Sequence, residues 1–324
     1  MNILIRGCKK ILRSIYQLLF KNTIKIEELK KTNERLTYQL EYMKHHFDIS
    51  QMKPAIGWLR EYQLAETLFA VEFIDILNKE GIHPFFDAGA LLGAIRHKGF
   101  VPWDDDIDLG LIRSEYNKLL ELGKTKYVWI DTSETFDVQF EELCDNSIAN
   151  NQGKYVFIRT PFCLHVYKGT SLRDSVNVEF FPYDYIKENV SEDDYRLFLD
   201  KYKATYSWSQ PWKNVFTEYE NLVQQSGFFS NEKTTRITPG PGNDAFTQSD
   251  FYGFRKYEWI FPLKTLIFEN LQVPVPNSPE EFVNKIYSSW KDFPNDVGIS
   301  HELEVLNKYF SAKNQPLSIK EIYR

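Results

Sequence analysis

Apolar residues recur at alternating steps of three and four along residues 1–50. The positions are Leu12, Ile15, Leu19, Asn22, Ile26, Leu29, Asn33, Leu36, Leu40, Met43 and Phe47, and nine of these eleven are apolar. A period of 3.5 residues held over about five heptads is typical of a coiled coil. Asn33 falls at an a position, where a buried amide is satisfied by its counterpart in a parallel two-stranded coil. We therefore expect a homo-oligomer; a long amphipathic helix packed on its own chain is the alternative.

The same segment is basic at its start. Its first 25 residues hold six Lys/Arg and no Asp or Glu, interleaved with apolar residues. This pattern is typical of a helix that lies peripherally on anionic lipid headgroups, and equally of the solvated end of a coiled coil, so both interpretations stay open. No apolar run approaches the roughly 18 residues of a membrane span, and four basic residues interrupt the N-terminal apolar region. We predict neither a transmembrane helix nor a signal peptide.

Beyond Pro54 the pattern changes to alternating helices and strands. Helices are predicted over residues 55–79, 90–97 and 191–206, and strands over 83–87, 127–130, 137–143, 155–159, 162–167 and 176–181. The Pro/Gly-rich residues 238–243, inside a polar stretch over 226–249, predict a surface loop, with a mobile lid as the alternative. We expect residues 1–50 to form an oligomerisation arm and residues 51–324 a catalytic domain of the α+β class.

Composition and charge narrow the class of protein. The 324 residues are 43% hydrophobic and 26% charged, which excludes disordered and low-complexity classes. A net charge of −6 argues against a protein that coats nucleic acid. Residues 1–50 carry ten Lys/Arg and five Asp/Glu, whereas residues 51–324 carry 29 Lys/Arg and 40 Asp/Glu. The arm is therefore basic and the remainder of the chain acidic. Cys8, Cys144 and Cys163 form no C-x-x-C, so the sequence predicts no disulfide framework or cysteine zinc motif and fits a reducing, cytoplasmic compartment.

The candidate chemistry lies in the run from Trp103 to Leu111. In an extended chain Asp104, Asp106 and Asp108 project from one face, while the apolar residues between them project from the other. Three like charges on one face repel each other unless a cation compensates them, and Mg²⁺ or Mn²⁺ suits carboxylates beside phosphate. The pattern therefore predicts a metal site.

An EF-hand calcium loop is the rival interpretation of these aspartates. Together with Glu115 they match loop positions 1, 3, 5 and 12. Leu109 occupies position 6, where the loop requires glycine, and Gly99 and Pro102 interrupt the entering helix. The EF-hand interpretation is therefore set aside.

Further residues complete the candidate site. Glu179 is the one ionisable group on its face of the strand predicted over 176–181, and we expect it to be a further metal ligand; a surface glutamate on an edge strand is the alternative. Gly89 permits a tight strand-to-helix turn. Arg96, His97 and Lys98 end the short helix that follows, and we expect them to contact phosphate, with a solvated basic helix face as the alternative.

Three separated stretches resemble the LicD/fukutin family of phosphotransferases. They are residues 87–108 (DAGALLGAIRHKGFVPWDDDID), residues 178–184 (VEFFPYD), and residues 261–263 (FPL) with 273–277 (VPVPN). The resemblance covers about residues 55–295 and leaves out the N-terminal arm.

The resemblance implies a nucleotidyltransferase fold like that of DNA polymerase β, with a mixed sheet and flanking helices, preceded here by the coiled-coil helix. The family's metal-binding acids correspond to three aspartates, Asp104, Asp106 and Asp108. Its glycine turn corresponds to Gly89, followed by Ala90 where a hydroxyl residue is usual. Asn177 and Glu179 stand where two aspartates are frequent.

Members of the family move a phospho-substituent, such as phosphocholine, glycerol phosphate or ribitol phosphate, from a CDP-activated donor to a glycan hydroxyl and release CMP. The resemblance thus implies an enzyme of capsule or lipopolysaccharide assembly that acts on a glycan or lipid-linked glycan at the inner face of the cell membrane. Asp104 or Glu179 is expected to accept the proton of the acceptor hydroxyl.

Two other functions remain as alternatives. One is a nucleotidyltransferase that makes an activated donor from a nucleoside triphosphate. The other is a non-catalytic coiled-coil scaffold for glycan-assembly enzymes. The intact aspartates argue against the scaffold, because a silent site has no reason to bear the electrostatic cost of three adjacent carboxylates.

Overall fold

The computed structural model describes residues 2–205, 210–242, 253–287 and 289–294. Within these ranges, residues 2–49 with 291–294 form one compact unit, and residues 50–290 form another. No helix in the described part of the chain has the length and hydropathy needed to span a membrane.

The first unit is built on a single helix, α1 (Asn2–His46). This confirms the helical part of the prediction for the N-terminal arm. Ile26, Leu29 and Leu36 of the 3.5-residue stripe are exposed along the helix. At the end of the stripe, Phe47 packs edge-on against Phe293, with ring centroids 5.8 Å apart. The coiled-coil partner of the stripe stays a prediction.

The second unit alternates helices and strands. Its helices are α2 (Gly57–Lys79), α3 (Ala88–Arg96), α4 (Arg113–Lys126), α5 (Phe140–Ala149), α6 (Glu192–Thr205), α7 (Trp212–Ser226), α8 (Tyr257–Ile260) and α9 (Pro279–Ile286). Its strands are β1 (Phe85–Phe86), β2 (Asp108–Ile112), β3 (Val128–Ile130), β4 (Val156–Arg159), β5 (Leu164–Gly169), β6 (Ser175–Ile186), β7 (Phe229–Ser230), β8 (Arg236–Pro239), β9 (Arg255–Lys256), β10 (Lys264–Phe268) and β11 (Leu271–Val275).

The strands form a central mixed sheet and a separate hairpin. In the sheet the order is β1–β2–β6–β5–β4–β3. β7 and β8 pair with the second half of β6, and β9 pairs with β8. The pairs β2–β6 and β3–β4 are parallel, whereas the other neighbouring pairs are antiparallel. The hairpin consists of β10 and β11. The predicted mixed sheet with flanking helices is therefore confirmed.

The core lies between α2 and the centre of the sheet. The ring of Phe73 on α2 is 5.9 Å from that of Phe180 on β6 and 6.0 Å from that of Phe157 on β4. All three side chains are fully buried, and burial of each contributes about 1.5–3 kcal/mol. The same helix positions the loop before β2, because the Gln63 side-chain amide donates to the Asp104 carbonyl oxygen at 2.8 Å.

Two local predictions are wrong. The strand predicted over 137–143 is a short 3₁₀ turn followed by α5, because Phe140, Leu143, Cys144 and Ile148 repeat at helical spacing. The surface loop predicted over 238–243 begins inside β8, which pairs with β6, and residues 238–242 are buried. Residues 243–249 lie outside the described part of the chain.

Candidate active site

Sheet register brings two distant carboxylates together. Asp108, the first residue of β2, lies opposite Glu179 on the parallel strand β6. The backbone amide of Glu179 donates to the carbonyl oxygen of Ile107 at 3.1 Å, which fixes this register. On the other side of β6, His165 of β5 lies opposite Glu179. One row across three strands therefore carries Asp108, Glu179 and His165.

Asp104 and Asp106, in the loop before β2, lie next to this row of residues. Their carboxyl groups are hydrogen-bonded to each other. Oxygen atoms of Asp104, Asp105 and Asp106 lie within 4.8 Å of one another. Regular strand alternation was expected from Trp103 onward, but the strand begins only at Asp108. Asp105 is therefore not held on the opposite face, and its carboxylate adds to the cluster.

The cluster is electrostatically unfavourable without a cation. Burial raises the pKa of Asp106 to about 6, and the charge of Glu179 acts in the same direction. Burial also raises the pKa values of Asp104 and Asp108, and the charge of Asp106 raises both further. The surroundings therefore disfavour the charged form of each of these carboxylates, and a bound cation would favour it. An all-oxygen donor set of this kind fits Mg²⁺ or Mn²⁺.

A glycine turn at the start of α3 packs directly against the aspartates. Asp87 caps the helix by accepting from the Ala88 amide at 2.8 Å, and the Tyr183 hydroxyl donates to its other oxygen at 2.5 Å. Ala88 has a φ of 40°, in the left-handed region that is strained for a residue with a side chain. A Cβ atom on Gly89 would collide with the Asp104 carboxylate. The positive φ of the turn is thus at Ala88 and not at Gly89, and what glycine provides at 89 is room for the Asp104 carboxylate.

The three basic residues at the end of α3 take different positions. The Arg96 guanidinium donates to the Trp290 carbonyl oxygen at 2.6 Å and to the His97 ring at 2.9 Å. Burial lowers the pKa of Arg96 to about 10, although the charges of Tyr287 and Asp104 oppose this shift. Burial, followed by the charge of Arg96, lowers the pKa of His97 to about 4. Lys98 is exposed. Arg96 is thus the one of the three whose charge acts on the carboxylate cluster.

A cavity of about 450 Å³ opens beside Asp106 and Glu179. Its walls are rich in aromatic side chains, namely Trp58, Tyr62, Phe140, Phe162, Tyr167 and Trp212. The rings of Trp58 and Tyr62 are stacked with centroids 5.2 Å apart. Asp137 and Glu141 add carboxylates to the lining. The cavity is therefore a largely aromatic space, with both acidic side chains and Arg173 in its lining, that adjoins the candidate metal ligands.

Sequence reasoning missed several residues of this site. The charges of Asp104 and Asp108 add to burial in raising the pKa of Tyr287, which places this phenol near the cluster. No local signal marked Tyr287, because it follows α9 far along the chain. Cys163 and His165 stand two apart in a predicted strand, so they share a face, but only the pairing of β5 with β6 brings them to Glu179.

The glycine turn, the aspartates and the parallel strand pair all lie within residues 81–278. The model of the family described as "LicD/FKTN/FKRP, nucleotidyltransferase domain" matches this segment, and the chain belongs to that family.

Two individual proteins also match parts of this chain. The chain is 28% identical over 169 residues to the lipopolysaccharide cholinephosphotransferase LicD of Haemophilus influenzae, a match that covers 52% of this chain and 60% of that protein. It is 42% identical over 41 residues to the uncharacterized protein RP689 of Rickettsia prowazekii, or 13% of this chain and 15% of that protein. The chain thus spans less than two thirds of the length of either relative.

Proposed function

We propose that the protein is a metal-dependent phosphotransferase that moves a phospho-substituent from a CDP-activated donor to a sugar hydroxyl of a surface glycan, and releases CMP. The observation that carries the proposal is that carboxylate oxygens of Asp104, Asp105 and Asp106 gather within 4.8 Å. Asp108 lies opposite Glu179 in the β2–β6 pair, and Asp106 and Glu179 line one cavity. Family membership and the likeness to a cholinephosphotransferase support the same reaction class. We further propose a nucleotidyltransferase-type fold for the domain.

The carboxylates are proposed to hold Mg²⁺ or Mn²⁺. Asp106 and Asp108 are the principal ligands, and Asp104 and Glu179 complete the set. When bound, the ion supplies positive charge that neutralises the donor pyrophosphate and the leaving CMP. Gly89 leaves room for the Asp104 carboxylate at the start of α3. Arg96 adds a fixed positive charge near Asp104.

The transfer step is a single displacement. The acceptor hydroxyl oxygen forms a bond to the phosphorus that bears the substituent, the bond from that phosphorus to the CMP oxygen breaks, and CMP leaves. Asp104 or Glu179 accepts the hydroxyl proton, through a carboxylate oxygen that does not bind the metal. The aromatic walls of the cavity are suited to exclude water and to stack on the substituent or on a sugar ring.

The N-terminal arm is proposed to join two copies of the chain. Ile26, Leu29 and Leu36 of the stripe are exposed, and Asn33 stands at an a position where its natural partner is the Asn33 of a second copy. We propose action at the cytoplasmic face of the membrane, where the basic start of the arm contacts anionic lipid.

The test measures CMP release from CDP-choline, CDP-glycerol and CDP-ribitol with Mg²⁺ or Mn²⁺ and a glycan acceptor. Asp106→Asn is expected to lower turnover by about 100-fold or more with the fold intact. Asp75→Asn, at an exposed position of α2, is the matched control and should keep full activity. Unchanged transfer by Asp106→Asn would exclude the metal assignment. Pyrophosphate release from CTP, without CMP release from any CDP conjugate, would instead identify the nucleotidyltransferase alternative.

A further inference from the structure

A second group of metal-binding atoms lies at the floor of the cavity. The Cys163 Sγ is 3.2 Å from the His165 Nε2 and 3.5 Å from the Glu179 Oε2. The His165 Nδ1 is 3.2 Å from the other Glu179 oxygen. One donor atom from each residue lies within 4.8 Å of the other two. Thiol, imidazole and carboxylate are therefore gathered at one point, next to the all-oxygen aspartate cluster.

The backbone holds these three residues in place. His165 lies opposite Glu179 in the antiparallel pair β5–β6. Cys163 precedes β5 by one residue, and its amide donates to the Thr160 hydroxyl at 3.1 Å. Its carbonyl oxygen accepts from the Thr160 amide at 2.9 Å. The donor atoms are thus carried by a paired strand and a hydrogen-bonded turn rather than by a free loop, as a preorganised site requires.

The spacing fits a tetrahedral metal ion. Zinc bonds of about 2.3 Å to sulfur and about 2.0–2.2 Å to nitrogen and oxygen place neighbouring ligand atoms about 3.4–3.6 Å apart. The Sγ–Nε2 and Sγ–Oε2 separations of 3.2 and 3.5 Å are close to these values. The other ring nitrogen, the His165 Nδ1, is buried and pairs with Glu179 at 3.2 Å, so Nε2 is the nitrogen that faces the Cys163 sulfur. A mixed sulfur, nitrogen and oxygen set selects a borderline cation such as Zn²⁺ over Mg²⁺.

We propose that Cys163, His165 and Glu179 bind one Zn²⁺ ion, with a fourth position open to the cavity. Three protein ligands and an open position are typical of zinc sites that activate a bound oxygen rather than stabilise a fold. Glu179 also lies opposite Asp108 in the β2–β6 pair, so the proposed zinc site adjoins the aspartate cluster. The ligands come from two paired strands and from the turn just before one of them, so no zinc spacing is visible in the sequence.

The experiment measures metal binding and not turnover. The full-length protein is stripped with a chelator, Mg²⁺ is added in excess, and Zn²⁺ is titrated by calorimetry. We expect one Zn²⁺ per chain, and more than about 10-fold weaker binding for Cys163→Ser and for His165→Gln. Cys144→Ser is the matched control, because Cys144 is a second buried cysteine in the lining of the same cavity. The zinc affinity of Cys144→Ser should equal that of the wild type.

Cobalt gives a second measurement. Co²⁺ in the site is expected to show a thiolate-to-metal charge-transfer band that Cys163→Ser abolishes and Cys144→Ser retains. X-ray absorption of the zinc-loaded wild type is expected to show one sulfur neighbour at about 2.3 Å, and does not depend on how any variant folds. Equal zinc affinity in wild type and a folded Cys163→Ser, or no sulfur neighbour, would overturn the proposal. Asp106→Asn should retain the zinc signal, so failure of this site and failure of the phosphotransferase proposal are distinguishable.

Discussion

Asp108 on β2 and Glu179 on β6 face each other in a parallel pair of strands. A shift of one residue in this pair would turn Glu179 to the opposite face of the sheet. Parallel strands also need a long crossover connection, which here runs from α4 to β5. The carboxylate cluster is therefore a property of the assembled sheet and of its register, and not of the aspartate motif alone.

Gly89→Ala should weaken metal binding without unfolding the protein. Its added Cβ would meet the Asp104 carboxylate, the movable end of a side chain. We expect about 10-fold weaker Mg²⁺ binding by calorimetry and little change in unfolding temperature. Gly93→Ala is the contrasting control, since its Cβ would meet the backbone oxygen of Gly99 and should cost about 1–3 kcal/mol of stability. Unchanged Mg²⁺ affinity in Gly89→Ala would count against the role of this turn.

The ion pair between Arg60 and Glu269 should couple α2 to the β10–β11 hairpin. Two guanidinium nitrogens of Arg60 donate to the two Glu269 oxygens at 2.7 and 2.5 Å, and the Phe100 amide donates to the same carboxylate at 3.1 Å. Glu269→Gln is expected to cost about 3 kcal/mol in the free energy of unfolding, because the carboxylate is buried.

A double-mutant cycle with Arg60→Gln, followed by chemical denaturation, measures this coupling. We expect about 1–3 kcal/mol for the buried pair. The exposed pair Lys124–Glu121, at 2.9 Å on α4, should give less than about 0.5 kcal/mol. Equal coupling in the two pairs would refute the prediction.

His97 should make stability depend on pH in an acidic window. Burial lowers the pKa of His97 from 6.5 to about 4. Between these values the unfolded chain binds a proton at this histidine that the folded protein does not, so the contribution of His97 to the free energy of unfolding falls as the pH falls from 6.5 to about 4. The buried aspartates, whose pKa values are raised, act in the opposite direction, so the effect of His97 is read as the difference between wild type and variant. In His97→Gln, whose side-chain oxygen can still accept from Arg96, this slope should be shallower. Denaturant titrations across this pH window measure the slope. His83→Gln, at an exposed position, is the control and should keep the wild-type slope. The wild-type slope in His97→Gln as well would contradict the prediction.

The exposed stripe of α1 predicts the oligomeric state. Leu36→Asp places a charge at a d position and should convert the proposed dimer to a monomer in sedimentation experiments on the full chain. Tyr38→Asp is the control, since Tyr38 is 74% exposed and lies outside the stripe. A wild-type monomer at all accessible concentrations, or a dimer that persists in Leu36→Asp, would contradict the coiled-coil prediction.

Local patterns in the sequence determined much of the architecture. The 3.5-residue repeat predicted the helix of the arm, and the apolar face of α2 predicted a buried helix that ends at Gly81, whose φ of 69° suits glycine. Runs of β-branched and aromatic residues predicted β3, β4, β5 and β6 within a few residues. The aspartate motif and the glycine turn identified the candidate site and its family. Each of these signals is contained in a short window of residues, where periodicity and backbone preference decide the structure.

Tertiary structure decided which residues from distant segments of the chain contact each other. Residues 137–143 are helical in the structure, where their apolar side chains, together with those that follow, pack against β4 and β5. β8 is part of the sheet because it pairs with β6. Tyr287 and the Cys163–His165 pair joined the carboxylates through contacts between segments far apart in the chain. Register and packing depend on the simultaneous burial of many side chains and on strand pairings across long crossovers. The position of a residue in the sequence therefore predicts its element, but the assembled sheet determines its neighbours.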